Sequence, residues 1–374
     1  MRIAFIVNVD WFFVSHRLPI AMRALDEGHD VWVITKDTGK RITLEKKGIH
    51  FIDFPFERSG TNPFHELKCV LKLKKILERN KFDIIHNVTL KASLLGAFAA
   101  RLAKNQKVVN AISGLGYSFT GGNNTFSGAV VKLFAKIAFS GADNYFIFQN
   151  PDDSDIFLSL GITKPDKVFM IKGSGVDIRE YSYCEPAKKE HIILFLLPAR
   201  VLRDKGVLEF VAAAKLLENE LKGKAKFIIA GQCDKFNRAS IPETEIHNLE
   251  VQDYIEWVGE QRDMVSTYRN CDVVVLPSYR EGLPKSLIEA CAIGRPIITT
   301  NAPGCKECVI DGVNGLMVPV KDKIVLAAAM KKLFANPAKR LLMGEESRKL
   351  AEDQFDVETV INKHFEIYYK LLNC

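Results

Sequence analysis

Thirteen short runs of Ile, Val, Leu and Phe recur along the chain, and none of them alternates apolar with polar residues. A strand that reads as continuously apolar is covered on both faces, which is the condition of a parallel sheet sandwiched between helices. Seven runs lie in the first half, at 3–7, 31–35, 51–54, 84–88, 108–112, 145–149 and 168–171; six lie in the second, at 192–197, 227–230, 254–258, 273–276, 297–300 and 316–320. Helical patterns fill the intervals. The alternation predicts an α/β chain of two Rossmann-like, doubly wound domains facing each other across a cleft. The polar, irregular stretch 178–190 (IREYSYCEPAKKE) is the expected linker, which places a first domain at 1–182 and a second from 183.

A length of 374 residues suits two domains, and 47% apolar with 26% charged residues is an ordinary globular composition. The first apolar run stops at Asn8 and Asp10, too early for a signal peptide, and no stretch approaches the ~18 apolar residues of a membrane span, so a cytoplasmic location is expected. The eight cysteines are scattered; Cys305 and Cys308 form the one close pair but lack the further ligands of a zinc site, and read as reduced packing residues. The net charge of +7 is unevenly placed: residues 1–180 hold 25 Lys and Arg against 18 Asp and Glu, whereas 181–374 hold 27 of each. The first half therefore faces something anionic, for which nucleic acid and an acidic membrane surface are the usual candidates. The stretch 62–81 is an amphipathic helix with Lys68, Lys72, Lys75 and Arg79 on one face and Val70, Leu73 and Leu77 opposite. That basic stripe is either the solvated face of a covering helix or a surface that touches anionic headgroups. Without interleaved aromatics or a recognised module, nucleic-acid binding is the weaker reading.

The chemistry concentrates in 273–301, VVVLPSYREGLPKSLIEACAIGRPIITTN. It reads as a strand, a turn, a helix opening at Pro284 and closing at Gly294, and a second strand. Glu281 in the turn leads through Gly282 and Leu283 to the helix N-terminus, where free N–H groups favour anions and above all phosphate. Glu289 follows roughly 7 Å further along the helix. The plainer alternative makes Glu281 a solvated turn residue and Glu289 the i,i+4 partner of Lys285. In ARVLRDKG, Arg200 and Lys205 stand at another strand end, the edge on which parallel sheets present ligands. Two fixed cations and a helix N-terminus aimed at one place can stabilise a developing diphosphate charge without a metal. Asp152, Asp153 and Asp155 follow Asn150-Pro151 and are explained by the helix dipole rather than by a cation site. In the first half, His16 and Arg17 follow the first strand as cleft candidates, with the alternative that Ser15 caps a helix. The loop GLGYSFTGG at 114–122 offers Gly114, Gly116 and Tyr117; it is not GxGxxG, and no Walker P-loop is present.

Arg200 and Lys205, followed by Glu281 and Glu289 with seven residues between them and by Gly304-Cys-Lys-Glu307, resemble the donor-site signature of glycosyltransferase family 4. The resemblance spans the chain and is most specific in the second half. It implies the GT-B fold and a retaining, metal-independent transferase that uses no cofactor beyond its substrate, a nucleoside-diphosphate sugar, expected to be UDP-linked. Arg200 and Lys205 would hold the diphosphate, Glu281 with the Gly282 and Leu283 amides the sugar, and Glu289 the ribose hydroxyls, with Glu307 also on the donor side. Gly175 and Asp177 look like the interdomain loop. The last helix, 357–372, would cross back, giving 355–374 to the first domain and leaving 183–354 as the donor domain. Two departures leave the acceptor side as candidates only: Asn8 to Trp11 replaces the usual Gly-Gly, and Ser113 stands where many members have histidine. Those candidates are His16, Arg17, Lys91, Ser113, Gly114, Gly116 and Tyr117. The chain looks most like the bacterial branch that adds a hexose or N-acetylhexosamine to a polyprenyl-diphosphate-linked saccharide for lipopolysaccharide, O-antigen, capsule or protein glycosylation, at the inner face of the cytoplasmic membrane. A sugar-nucleotide 2-epimerase of the same architecture, or a catalytically silent subunit of a glycan-assembly complex, are the competing functions.

Overall fold

The computed structural model describes residues 1–57, 63–104, 107–115, 126–140, 144–185, 192–234, 237 and 239–372. The chain divides into two compact units, Met1–Ser174 with Glu358–Cys374, and Gly175–Val357.

In the first unit, β1 (Arg2–Val9), β2 (Asp30–Lys36), β3 (His50–Asp53), β4 (Ile84–Val88), β5 (Lys107–Ile112), β6 (Asn144–Phe148) and β7 (Val168–Met170) form one sheet in the order β3-β2-β1-β4-β5-β6-β7. Every neighbouring pair is parallel. The order reverses between β1 and β4, whose pairing sets Ile3 opposite Ile84 and Val7 opposite Val88. Ile3 to Val7 are wholly buried, which is why the run carries no polar alternation. The closing helix, Val357–Leu372, supplies His364 and Tyr368 to the interior of this unit, where Tyr368 meets His86 of β4.

The second unit contains β8 (Ile193–Pro198), β9 (Ala225–Ala230), β10 (Ile255–Trp257), β11 (Val273–Leu276), β12 (Ile297–Thr300) and β13 (Gly315–Val318), ordered β10-β9-β8-β11-β12-β13 and again parallel throughout. Successive side chains of a strand point to opposite faces, and both faces are filled here. Phe195, Leu197, Val273 and Val275 pack with Phe210 and Val211 of the helix Val207–Leu216. Leu196, Val274 and Leu276 pack with Leu287 and Ile288 of the helix Lys285–Ile293. The expected stop is present, Gly294 ending the helix in the left-handed conformation at φ 84°, and the start falls one residue later than expected, with Pro284 as the extended N-cap rather than the first helical residue.

The junction between units differs from the sequence expectation. The chain passes into the second unit at Gly175 rather than near 182, because Val176 is already bound there: its N–H donates to Phe355 O at 2.8 Å, and Val357 N–H donates back to Val176 O at 3.0 Å. Gly175 has φ +75°, and a Cβ there would lie 2.6 Å from Val357 Cα, so this close approach needs glycine. The described part of the expected linker is fastened to the second unit. Arg348 donates to Ile178 O and Tyr181 O, and Cys184 N–H donates to Ile293 O at 3.1 Å. Residues 186–191 lie outside the described residues.

Candidate active site

The topological switch point of the second sheet lies between β8 and β11, and the loops leaving those two strands carry Arg200, Lys205 and Glu281. Local chain geometry stitches the loops together. Gly206 turns with φ +74° directly against Pro277, whose carbonyl a Cβ would meet at 2.2 Å. Tyr279 N–H and Ser278 Oγ both donate to Asp204 O, at 2.9 and 3.0 Å. On the far side, Glu281 N–H donates to Pro303 O at 2.9 Å, and Gly304, at φ +82°, passes so close that a Cβ would sit 2.3 Å from Glu281 O. The backbone of Glu281 is thus clamped between the loops that follow β11 and β12.

This clamp supports a prediction. Gly304→Ala adds a Cβ that runs into the Glu281 carbonyl as well as a strained φ, whereas Gly312→Ala adds only the strain, since at φ +78° it has nothing within 4 Å. We expect Gly304→Ala to cost well over ~1 kcal/mol in urea unfolding and to abolish most activity, and Gly312→Ala to cost about 1 kcal/mol with activity retained. Equal behaviour of the two variants in unfolding and transfer assays contradicts the clamp.

Arg200, Lys205, Glu281, Lys285 and Ser286 line a single cavity of about 160 Å³. Lys205 Nζ is ion-paired with Glu281, both side chains being mostly buried (17% and 13% exposed). Arg200 Nη1 pairs with Asp234 at 2.7 Å. Lys285 is the first residue of its helix and lines the cavity at the helix N-terminus, an arrangement of a cation and free N–H groups that suits an anion. Lys285 and Ser286 were not singled out by sequence reasoning except as a possible partner for Glu289. Their place in the first turn after Gly282-Leu283-Pro284 was the available signal.

Glu289 lies one turn deeper in the same helix and is 7% exposed. Lys285 Nζ approaches its Oε1 at 3.6 Å, so the plain i,i+4 contact is present, but it is not the whole environment. Tyr268 Oη donates to Oε2 at 3.2 Å, and the Tyr181 hydroxyl lies close enough to interact with the same carboxyl group. Burial pushes the Glu289 carboxyl above the ordinary range, opposed by Lys285 and the two tyrosine hydroxyls. Gly282 and Leu283 occupy the turn before the helix, and Glu307 the short 3-10 turn Lys306–Cys308.

The remaining candidates fall elsewhere. Gly175 serves the close approach already described, and Asp177 caps its own turn: its carboxylate accepts from the Arg179 and Glu180 amides at 2.9 and 3.3 Å. Burial raises the Asp177 carboxyl, but those amides prevail and hold it below the ordinary range. In the first unit, the segment after β1 is helical at once, over Asp10–His16, and His16 stacks on Phe12 at 3.9 Å. Arg17 is not at an accessible edge. It is 1% exposed, burial brings its guanidinium down to about 10, Nη1 donates to His16 O at 2.8 Å, and no carboxylate pairs with it among the described residues. Lys91 is engaged by Glu66 at 2.7 Å and by Glu57 O at 2.6 Å, so it does not stand open as a cleft cation. Ser113 and Gly114 follow β5, Gly114 at φ +109°; Gly116 and Tyr117 lie outside the described residues. Asp153 is a cap partner, its N–H donating to Asn150 Oδ1 at 2.9 Å. Among the described residues, no three His, Cys, Asp or Glu side chains gather as a metal site requires, and no helix is long and apolar enough to cross a membrane.

Two parallel Rossmann-like sheets, the second carrying cations and a glutamate at its switch point, define the GT-B class of glycosyltransferases. Sucrose-phosphate synthase from Thermosynechococcus elongatus shares this fold with a TM-score of 0.81 at 18% identity, 100% of each chain being covered. The family model "Glycosyl transferase 4-like" matches residues 2–150 and "Glycosyl transferases group 1" matches 184–350. The chain belongs to this glycosyltransferase family. A relative in Campylobacter jejuni, N,N'-diacetylbacillosaminyl-diphospho-undecaprenol alpha-1,3-N-acetylgalactosaminyltransferase, is 29% identical over 100% of this chain and 99% of its own length. The Escherichia coli UDP-Gal:alpha-D-GlcNAc-diphosphoundecaprenol alpha-1,3-galactosyltransferase is 24% identical over 93% of this chain and 90% of its own.

Proposed function

We propose that this glycosyltransferase moves a hexose or N-acetylhexosamine from a UDP-linked donor to a saccharide carried on a polyprenyl diphosphate, with retention at the anomeric carbon and without a divalent metal, in surface-glycan assembly. The observation that carries the reading is the convergence of Arg200, Lys205, Lys285 and a helix N-terminus on one cavity beside Glu281. In the reaction the bond from the anomeric carbon to the diphosphate breaks, and the acceptor hydroxyl oxygen bonds to that carbon. The hydroxyl proton leaves with the diphosphate, whose growing charge the three cations and the helix amides meet. The names of the two relatives support the lipid-linked acceptor, and that of the second the uridine nucleotide. The test is a screen of the purified protein against radiolabelled UDP-sugars with a bacterial membrane extract as acceptor, run with and without excess chelator. Label should enter the organic-soluble lipid fraction and survive the chelator. Loss of transfer restored by manganese or magnesium overturns metal independence, and an altered free sugar nucleotide without transfer points instead to an epimerase.

A membrane-facing role for the first unit belongs to the same reading. In the helix Pro63–Asn80, Val70, Leu73 and Leu77 are buried, while Lys68, Lys72, Lys75 and Arg79 are exposed. Phe64, Leu67 and Leu71 are exposed beside them at i, i+3, i+7 spacing, an apolar strip that the charge pattern alone did not reveal. An apolar strip flanked by cations suits the headgroup region of an anionic bilayer. Changing the four cations to glutamine should weaken binding to phosphatidylglycerol vesicles at low salt by at least about tenfold and flatten its salt dependence, with the fold intact. Unchanged vesicle binding in a flotation assay returns this helix to a purely covering role.

A further inference from the structure

Glu289 is set by protein rather than by solvent, and the groups that set it form a frame of their own. Tyr268 donates to its Oε2 from the helix Met264–Arg269, and Tyr181, from the segment that opens the second unit, packs its ring 6.3 Å from that of Tyr268 with its hydroxyl interacting with the same carboxyl group. Each tyrosine is also held through its backbone by an arginine tied to the helix that carries Glu289, Arg295 by following its Gly294 cap and Arg348 through Ala292 O. Arg295, with no exposed surface, donates to Tyr268 O at 3.0 Å, to Arg269 O at 2.9 Å, to Cys184 O at 2.6 Å and to Gly294 O at 3.4 Å. Arg348 donates to Tyr181 O at 3.0 Å and to Ala292 O at 2.7 Å. Three pieces of chain distant in sequence are therefore locked together around one carboxylate. A frame of charge-assisted bonds to backbone carbonyls leaves little freedom for either hydroxyl.

A carboxylate can accept from both hydroxyls of a vicinal diol only if its plane is fixed, because each oxygen must present a lone pair to a different O–H. We infer that Tyr181 and Tyr268 are positioning residues for donor recognition, holding the Glu289 carboxylate in the one orientation that meets the 2′- and 3′-hydroxyls of the donor ribose. This rests on the proposed donor reading of Glu289. Neither tyrosine touches the reacting atoms, so their effect falls on the choice between ribose and 2′-deoxyribose.

The test uses calorimetric titration of the full chain with UDP, GDP and ADP and with their 2′-deoxy counterparts, and follows the pair that the unaltered protein binds most tightly. The unaltered protein should prefer the ribose form by about tenfold or more, as expected for a hydrogen bond to a charged group. Tyr181→Phe and Tyr268→Phe keep ring packing and remove only the hydroxyls. Each should weaken the ribose form about three- to tenfold and the 2′-deoxy form, which still offers its 3′-hydroxyl to Glu289, distinctly less, and the retained 2′-deoxy binding also certifies the fold of the variant. If Glu289→Ala removes the preference while both Phe variants keep it, or lose both ligands alike, the positioning role is overturned and the donor reading stands. If Glu289→Ala keeps the full preference, or no nucleoside diphosphate binds, the donor reading itself fails.

Discussion

Lys205→Ala is expected to lower turnover about 100- to 1000-fold while changing donor affinity far less, because charge on the diphosphate grows as the sugar-phosphate bond breaks. Lys205 lines the cavity with Glu281 and is ion-paired to it, which sharpens the expectation. Removing the lysine leaves a mostly buried carboxylate facing the leaving group without compensation, so the variant loses an attraction and gains a repulsion. Glu281→Gln removes the charged acceptor but keeps shape, and a comparable fall in rate is expected with the melting temperature near that of the unaltered protein. The two changes should combine to less than their product, since each disables the same pair. Steady-state transfer kinetics on the single and double variants decide this. Near-normal turnover in both singles removes the donor diphosphate from this cavity.

The second large effect is one of pH, and it belongs to the first unit alone. His86 of β4 and His364 of the closing helix are fully buried with rings 5.5 Å apart, and His86 Nδ1 is bonded to Tyr368 Oη at 2.5 Å. Burial, then the neighbouring His364 and Arg17, hold the His86 imidazole far below its ordinary range; burial and Arg17 bring His364 to about 3. Both are therefore neutral in the folded unit, whereas in the unfolded chain they take up protons below pH ~6.5. Their contribution is intact above that pH and is lost as pH falls, at ~1.4 kcal/mol per pH unit for each histidine, down to about pH 3 for His364. Between pH 6.5 and 5 this amounts to about 4 kcal/mol for the pair. Hydrogen exchange read by mass spectrometry separates the units: globally exchanging amides of β1 and β4 should lose about three decades of protection, corrected for intrinsic rates, while those of β8 and β11 keep theirs. His364→Gln should halve the pH slope. A first unit as protected at pH 5 as at pH 7 contradicts the neutral pair.

What the sequence made legible follows from how local each signal is. The thirteen strands could be placed, most directly where a parallel strand buried on both faces writes its environment into its own residues, as Ile3 to Val7 and Val273 to Leu276 do; the edge strands β3, β7 and β10 are less buried. Arg200, Lys205 and Glu281 could be placed at one sheet edge because strand ends and helix starts leave proline and glycine marks. Arg17 could not be read as buried, since the groups around it include Tyr368, and no neighbour in sequence announces that helix. Lys91 looked open for the same reason: its partner Glu66 stands on a different helix. The stretch 178–185 looked like a linker because its side chains are polar. What fastens it is its backbone carbonyls, which Arg295 and Arg348 collect and which no composition reports. Tyr181 and Tyr268 were passed over because aromatic residues in a covering layer usually signify packing alone.

The first unit is assembled from both ends of the sequence, with Glu358 onward supplying the helix that buries His86 and Arg17. On the ribosome this imposes an order of events. The second unit, Gly175–Val357, is contiguous and can close as soon as it has emerged, whereas the first must wait for the helix made after it although most of its residues were made earlier. Until then the pocket for His364 and Tyr368 faces water, and Arg23 lacks Glu358, its partner at 2.5 Å. A nascent chain from which Gly175–Val357 has just emerged should therefore present a closed second unit beside an unfinished first one, and the first is where chaperone demand and stalled-chain proteolysis should concentrate.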